Sequence, residues 1–113
     1  MFVQVGIDHY EIQQIAFVEE VSTGIKVHVG GQGQNAFIRT AEDVEAITSE
    51  LNKAKSFVKY GTFWINKTMI TMVHENTNTL MVMFDWPNSR EGSYTLYVPR
   101  MENDLLLLGV KKK

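Results

Sequence analysis

Three histidines, His9, His28 and His74, are the only imidazoles in the chain, and no cysteine accompanies them. They stand singly and far apart, without the H-x-x-x-H or H-x-H spacing that turns two imidazoles toward one metal ion. His28 is expected on the polar face of a strand and His74 at a strand end, both at the surface. Asp8-His9-Tyr10 sets an acid beside a histidine, but adjacency in sequence does not aim one side chain at the other. Gly31-Gln32-Gly33 has the glycines of a phosphate cradle. Such a cradle opens a helix after a parallel strand, whereas this stretch joins two short strands and reads as a hairpin turn. Asn66-Lys67-Thr68 fits the glycosylation sequon, which carries no meaning without a secretory signal. With neither a nucleophile–base pair nor a ligand cluster, the chain is expected not to be an enzyme and to need no cofactor or metal. Aromatic stacking is the other available chemistry. Trp64 reads as core, and Trp86, beside Pro87 and Arg90 in a long loop, as a contact for a base or a partner surface.

The elements that position these groups belong to a chain of 113 residues, one domain's worth, with 44% hydrophobic and 21% charged residues. That balance excludes disorder as the main state. No apolar run approaches the ~20 residues of a membrane-spanning helix. Met1-Phe2-Val3-Gln4-Val5-Gly6 has neither the basic nor the apolar region of a secretory signal, so a cytoplasmic location is expected. The lack of cysteine excludes a disulfide scaffold, thiolate zinc and a cysteine nucleophile. The net charge of −2 hides an asymmetry. Residues 1–50 hold eight acids against Lys26 and Arg39, and residues 51–113 hold nine bases against five acids, balances of −6 and +4. With a sequence pI near 5.9, any basic face must be local.

An internal repeat organises the chain. Phe2-Val3-Gln4-Val5-Gly6 matches Phe57-Val58-Lys59-Tyr60-Gly61 at an offset of 55, which also sets Ile15 on Ile70, Val18 on Val73, Ile25 on Leu80 and Val27 on Val82. Beyond a longer loop around 86–92 the offset becomes 60, with Phe37 on Tyr97 and Ile38 on Val98. Gln14 to Val21 and Met69 to His74 have the branched and large apolar residues of strands. Ile25, Val27 and Val29 alternate with Lys26 and His28, one apolar face and one polar. Ser22-Thr23-Gly24 and Asn76-Thr77-Asn78-Thr79 are hairpin turns, and 30–35 is the next turn, leading to Ala36-Phe37-Ile38-Arg39. Thr40 caps a helix running to about Ala54, with Val44, Ile47, Leu51 and Ala54 on one stripe. Met101-Glu102-Asn103-Asp104 leads into a second helix of one or two turns, stopped by Gly109. The expected architecture is β-rich α+β: one domain over residues 1–113, made of two similar antiparallel strand units (about 1–55 and 56–113). Each unit is followed by a helix, the first long and the second short, and the two share one core.

The order of these pieces resembles the LytTR DNA-binding domain of bacterial response regulators over nearly the whole chain. The resemblance rests on three stretches: residues 10–19 (YEIQQIAFVE), residues 57–70 (FVKYGTFWINKTMI), and Tyr97-Val98-Pro99-Arg100 with the short apolar helix after it. It implies a β-rich fold whose loops enter successive major grooves of duplex DNA. On that resemblance the DNA-reading loops correspond to Ser22, Thr23 and Gly24, to Lys59, Gly61 and Thr62, and to Arg100. Hydroxyls and lysines suit phosphate positioning, and an arginine can read guanine O6 and N7 with two hydrogen bonds. Arg100 and the 22–24 turn would then read bases, while Lys59, Lys67 and Arg90 neutralise phosphates. The expected function is a small free-standing DNA-binding transcriptional regulator, homodimeric so that two copies span adjacent groove segments. Two alternatives stand beside it. One is a protein-interaction or assembly module, phage- or operon-encoded, whose acidic first half engages a basic partner. The other is a single-stranded nucleic-acid binder that stacks bases on Trp86.

Overall fold

The computed structural model describes residues 2–5, 8–29, 34–85 and 93–110. Its elements are β1 (Phe2–Val5), β2 (Asp8–Glu11), a 3₁₀ turn (Ile12–Gln14), β3 (Ile15–Val21), β4 (Gly24–Val29), β5 (Gln34–Ile38) and α1 (Ala41–Lys53). There follow β6 (Phe57–Tyr60), β7 (Phe63–Asn66), a second 3₁₀ turn (Lys67–Met69), β8 (Ile70–Glu75), β9 (Thr79–Asp85), β10 (Ser93–Pro99) and α2 (Asp104–Leu107). Each of the first five elements, the 3₁₀ turn included, starts 55 residues before its counterpart. The recurrence reaches local detail. A slip in register falls between Ile15 and Phe17 in β3, and again between Ile70 and Met72 in β8. The side chains of Glu11 and Asn66 cap the two 3₁₀ turns alike, accepting from the amides of Gln13 and Thr68.

All strand pairing is antiparallel, in a β1–β2 hairpin, a five-stranded sheet ordered β5-β4-β3-β7-β6 and a three-stranded sheet ordered β10-β9-β8. The five-stranded sheet therefore takes its last two strands from the second series. One of its faces supplies Ile15, Val18, Ile25, Val27, Ile38 and Phe57 to a core closed by Ile47 and Leu51 of α1. Its other face supplies Ala16, Phe17, Tyr60 and Ile65 to a second core, with Leu80, Val82 and Phe84 of β9, Val98 of β10, and Leu105 and Leu108. Two clusters thus replace the one shared core expected from the sequence, and each draws on both series. Phe17 joins the sheets, its ring stacked on Phe84 at 5.4 Å and meeting Phe63 edge-on at 6.3 Å.

The Thr40 hydroxyl accepts from the Asp43 amide at 3.3 Å, satisfying one of the orphan donors of the first turn of α1. Glu42 and Asp43 at that end and Lys53 at the other oppose the helix dipole. At 13 residues α1 is about 20 Å long. The second helix is a single turn, closed by Gly109 at φ +81° and by the Val110 amide bonding to the Leu105 carbonyl.

Three expectations need correction. His28 is buried, not on a solvated face, and stacks on Phe17 at 4.0 Å between ring centroids. The reason is that β4 is an interior strand of a sheet covered on both sides, where strict alternation no longer marks solvent. Gln14 and Met69 belong to the 3₁₀ turns, so both strands start one residue later than the composition suggests. Gln34 and Asn35 open β5 and do not belong to the preceding turn. The Gly31-Gln32-Gly33 stretch and the 86–92 loop lie outside the described residues.

Candidate nucleic-acid interface

The β3–β4 and β6–β7 turns lie side by side, because β3 and β7 are antiparallel neighbours with Glu19 opposite Phe63. Just beyond that pair the Glu20 amide donates to the Thr62 carbonyl at 2.7 Å. Ser22, Thr23, Gly61 and Thr62 are all exposed at this end of the sheet. Gly24 makes the first turn possible. It sits at φ +153°, and a Cβ there would run into the Ile38 carbonyl oxygen. Gly61 at φ +59° opens the two-residue turn between Tyr60 and Phe63, with open space around its Cα.

Behind these turns the Glu20 carboxylate is shared. It accepts from the Trp64 indole at 3.0 Å and meets the Lys59 ammonium at 2.8 Å, while Lys59 lies 5.2 Å from the Trp64 ring centroid. Burial pushes the Glu20 carboxyl up, but the Lys59 and Trp64 hydrogen bonds outweigh it and the net shift is downward. Trp64, expected as core, is half-buried with its polar edge spent on this carboxylate. The groove from here to α1 is lined by Glu20, Val21, Gly24, Ile25, Val44, Thr48, Ser49, Asn52 and Trp64. It offers a carboxylate and no base, so a phosphate finds no cation in it.

Arg100 reaches the same end through Tyr60, whose buried hydroxyl donates to the Pro99 carbonyl at 2.6 Å. Burial, with the charge of Asp104, raises the Tyr60 phenol, which keeps it a donor. The Arg100 guanidinium is engaged internally through every nitrogen. Nε meets Asp104 at 2.7 Å, one Nη the Asn76 carbonyl at 2.9 Å, and the other Glu75 at 3.1 Å. The guanidinium holds the Asp104 carboxyl below the usual carboxylate range against the opposing effect of burial, helped by the Met101 and Leu105 amides. Arg100 thereby fixes the β8–β9 turn, whose Asn76, Thr77 and Asn78 are exposed. This turn was legible as a hairpin but not as part of a site. The repeat supplies the missing signal, since Thr77 and Asn78 are the counterparts of Ser22 and Thr23.

The chain thus brings Ser22, Thr23, Lys59, Thr62 and Arg100 to one end. It does not bring Lys67 there. That residue follows β7 at the opposite end of the strand, with its amide on the Ser56 carbonyl and its stem near Gly109. Lys53 pairs with Glu50 on α1. Arg90 and Trp86 lie outside the described residues. Among the described residues no three of His, Asp and Glu converge to hold a metal ion, and no helix is long and apolar enough to cross a membrane.

Asn66 went unnoticed as a structural residue. Fully buried, it donates to the Gln13 and Ile15 carbonyls at 3.2 and 3.0 Å and accepts from the Thr68 amide and hydroxyl. It stitches the first 3₁₀ turn to the second, and only the tertiary fold discloses it.

No family model and no curated protein sequence matches the chain. A solved structure does: the LytTr DNA-binding domain of a protein described as a methyl-accepting/DNA response regulator from Bacillus cereus. It superposes with a TM-score of 0.59 over 96% of this chain and 95% of that one, at 14% identity. The three sheets, the long first helix and the one-turn second helix are thus those of an LytTr-like domain, and the chain has that fold.

Proposed function

We propose that this domain binds duplex DNA as a small transcriptional regulator, through the end of the molecule that carries the β3–β4, β6–β7 and β8–β9 turns. The observation that carries the reading is the fold likeness, which extends over almost the full length of both chains. The local chemistry supports it. Ser22, Thr23, Thr62, Thr77 and Asn78 are small, exposed donors and acceptors on neighbouring turns, the side chains that position a protein on phosphates and base edges. In this reading Lys59 contributes phosphate neutralisation by leaving Glu20, and Arg100 positions the 76–78 turn instead of reading a base. Lys67, at the opposite end of β7, takes no part in this contact, and Arg90 remains a proposed phosphate contact.

The test is duplex binding followed by fluorescence anisotropy across a salt series. So few available bases predict a shallow log–log slope of about −1 to −2, since each neutralised phosphate contributes about −0.9. Absence of binding at low salt, or a slope of zero, rejects the proposal.

A second reading, a protein-interaction module for a basic partner, is favoured by one observation. Two cations of this end are met by carboxylates of the chain itself: Lys59 by Glu20, and Arg100 by Glu75 and Asp104.

A further inference from the structure

The repeat leaves one pairing made and its counterpart unmade. In the five-stranded sheet, β7 lies on the free edge of β3, with Phe17 opposite Ile65, Val18 opposite Trp64 and Glu19 opposite Phe63. The counterparts 55 residues away in each strand are β8 and β2. Among the described residues neither is so engaged: β8 ends the three-stranded sheet, and β2 pairs with β1 alone. The β8 edge is also exposed, with Thr71, Met72, His74 and Glu75 open to solvent and Met72 47% accessible. A strand edge of this kind presents a row of unpaired amides and carbonyls and acts as a template for another strand.

We infer that the β8 edge is the docking site for the β1–β2 hairpin of a second copy of this chain. The repeat identifies the occupant. The β6–β7 hairpin already binds the β3 edge, and β1–β2 is the same element of the other series. It also fixes the register. Displacing the β3–β7 pairs by one repeat sets Met72 opposite Tyr10, Val73 opposite His9 and His74 opposite Asp8. The last is an imidazole facing a carboxylate, a favourable cross-strand pair. The matching slips in register in β3 and β8 give both edges the same local twist. Exchange in both directions closes a two-fold dimer. This inference does not depend on DNA binding.

The absence of cysteine makes a disulfide trap clean. Asp8→Cys and His74→Cys are both at exposed positions, so neither change disturbs a core. The double variant, mildly oxidised, is expected to run mostly as a covalent dimer on a non-reducing gel. Each single variant, and an out-of-register control carrying Asp8→Cys with Thr71→Cys, should stay at single-chain mass. The unsubstituted chain should sediment as a dimer. A single-chain mass at every concentration overturns the inference. So does a dimer that the register pair fails to trap, equal trapping by the control, or a disulfide closed within one chain, which would make the hairpin's acceptor its own β8.

Discussion

The Tyr60 hydroxyl donates to the Pro99 carbonyl at 2.6 Å, and this bond ties the β6–β7 turn to the segment that carries Arg100. It crosses from the five-stranded sheet to the three-stranded one, at the base of the turns proposed to meet DNA. Tyr60→Phe keeps the packing and leaves the acceptor unpaired. The expected loss of stability is about 1 kcal/mol, the net value of one such bond, read as a lower urea midpoint at unchanged slope.

Asn66 should be far less tolerant. It is fully buried, and its amide serves two carbonyls and two donors. Asn66→Leu leaves the Gln13 and Ile15 carbonyls and the Thr68 amide without this partner, at about 1–3 kcal/mol for each group left buried and unpaired. Chemical denaturation should show a larger loss than for Tyr60→Phe.

Strong acid should loosen the Arg100 cluster. Asp104 titrates lower in the folded chain than in the unfolded one because Arg100 and two amides favour its charged form. Its contribution is complete above the ordinary aspartate value of about 3.9 and is lost as the pH falls through the lowered folded value. Arg100→Met removes the cause of the shift. The drop in melting temperature between neutral and acidic pH should therefore be smaller in that variant than in the native chain.

How much of this was legible follows from where each side chain's partners lie. Alternation and turn chemistry disclosed the strands, because Ile25, Val27 and the Ser22-Thr23-Gly24 turn act within a few residues of one another. The capped helix was legible for the same reason, since Thr40 bonds three residues ahead. His28 was not, because a strand covered on both faces buries its polar phase too. The charges were misleading in a further way. The acidic first half and the basic second half meet in space, Glu20 with Lys59 across the sheet, so counting bases along the chain overstated the positive surface. The Arg100–Asp104 and Lys53–Glu50 pairs, four and three residues apart, are the ones that spacing alone could have disclosed.

Glu20→Gln separates the two readings of the turn end. It removes the carboxylate that holds Lys59 and keeps an acceptor for the Trp64 indole. DNA binding should tighten at an unchanged salt slope, because Lys59 no longer has to leave a carboxylate to reach the phosphate, whereas Lys59→Gln should flatten the slope by about 1. Capture of a basic protein partner would instead weaken with Glu20→Gln.

The hydroxyls of the turns are tested together. Ser22→Ala, Thr23→Ala and Thr62→Ala remove three exposed groups without touching either core. At about 1 kcal/mol for each hydrogen bond lost, the triple variant should bind duplex at least about tenfold more weakly while keeping its melting temperature.

The most direct measurement is the amide spectrum of the isotope-labelled domain titrated with duplex DNA. The account predicts shifts centred on residues 22–24, 59–62 and 76–78, with α1 and β5 unmoved. Shifts centred on α1 or on β8, or none at all at low salt, would contradict it.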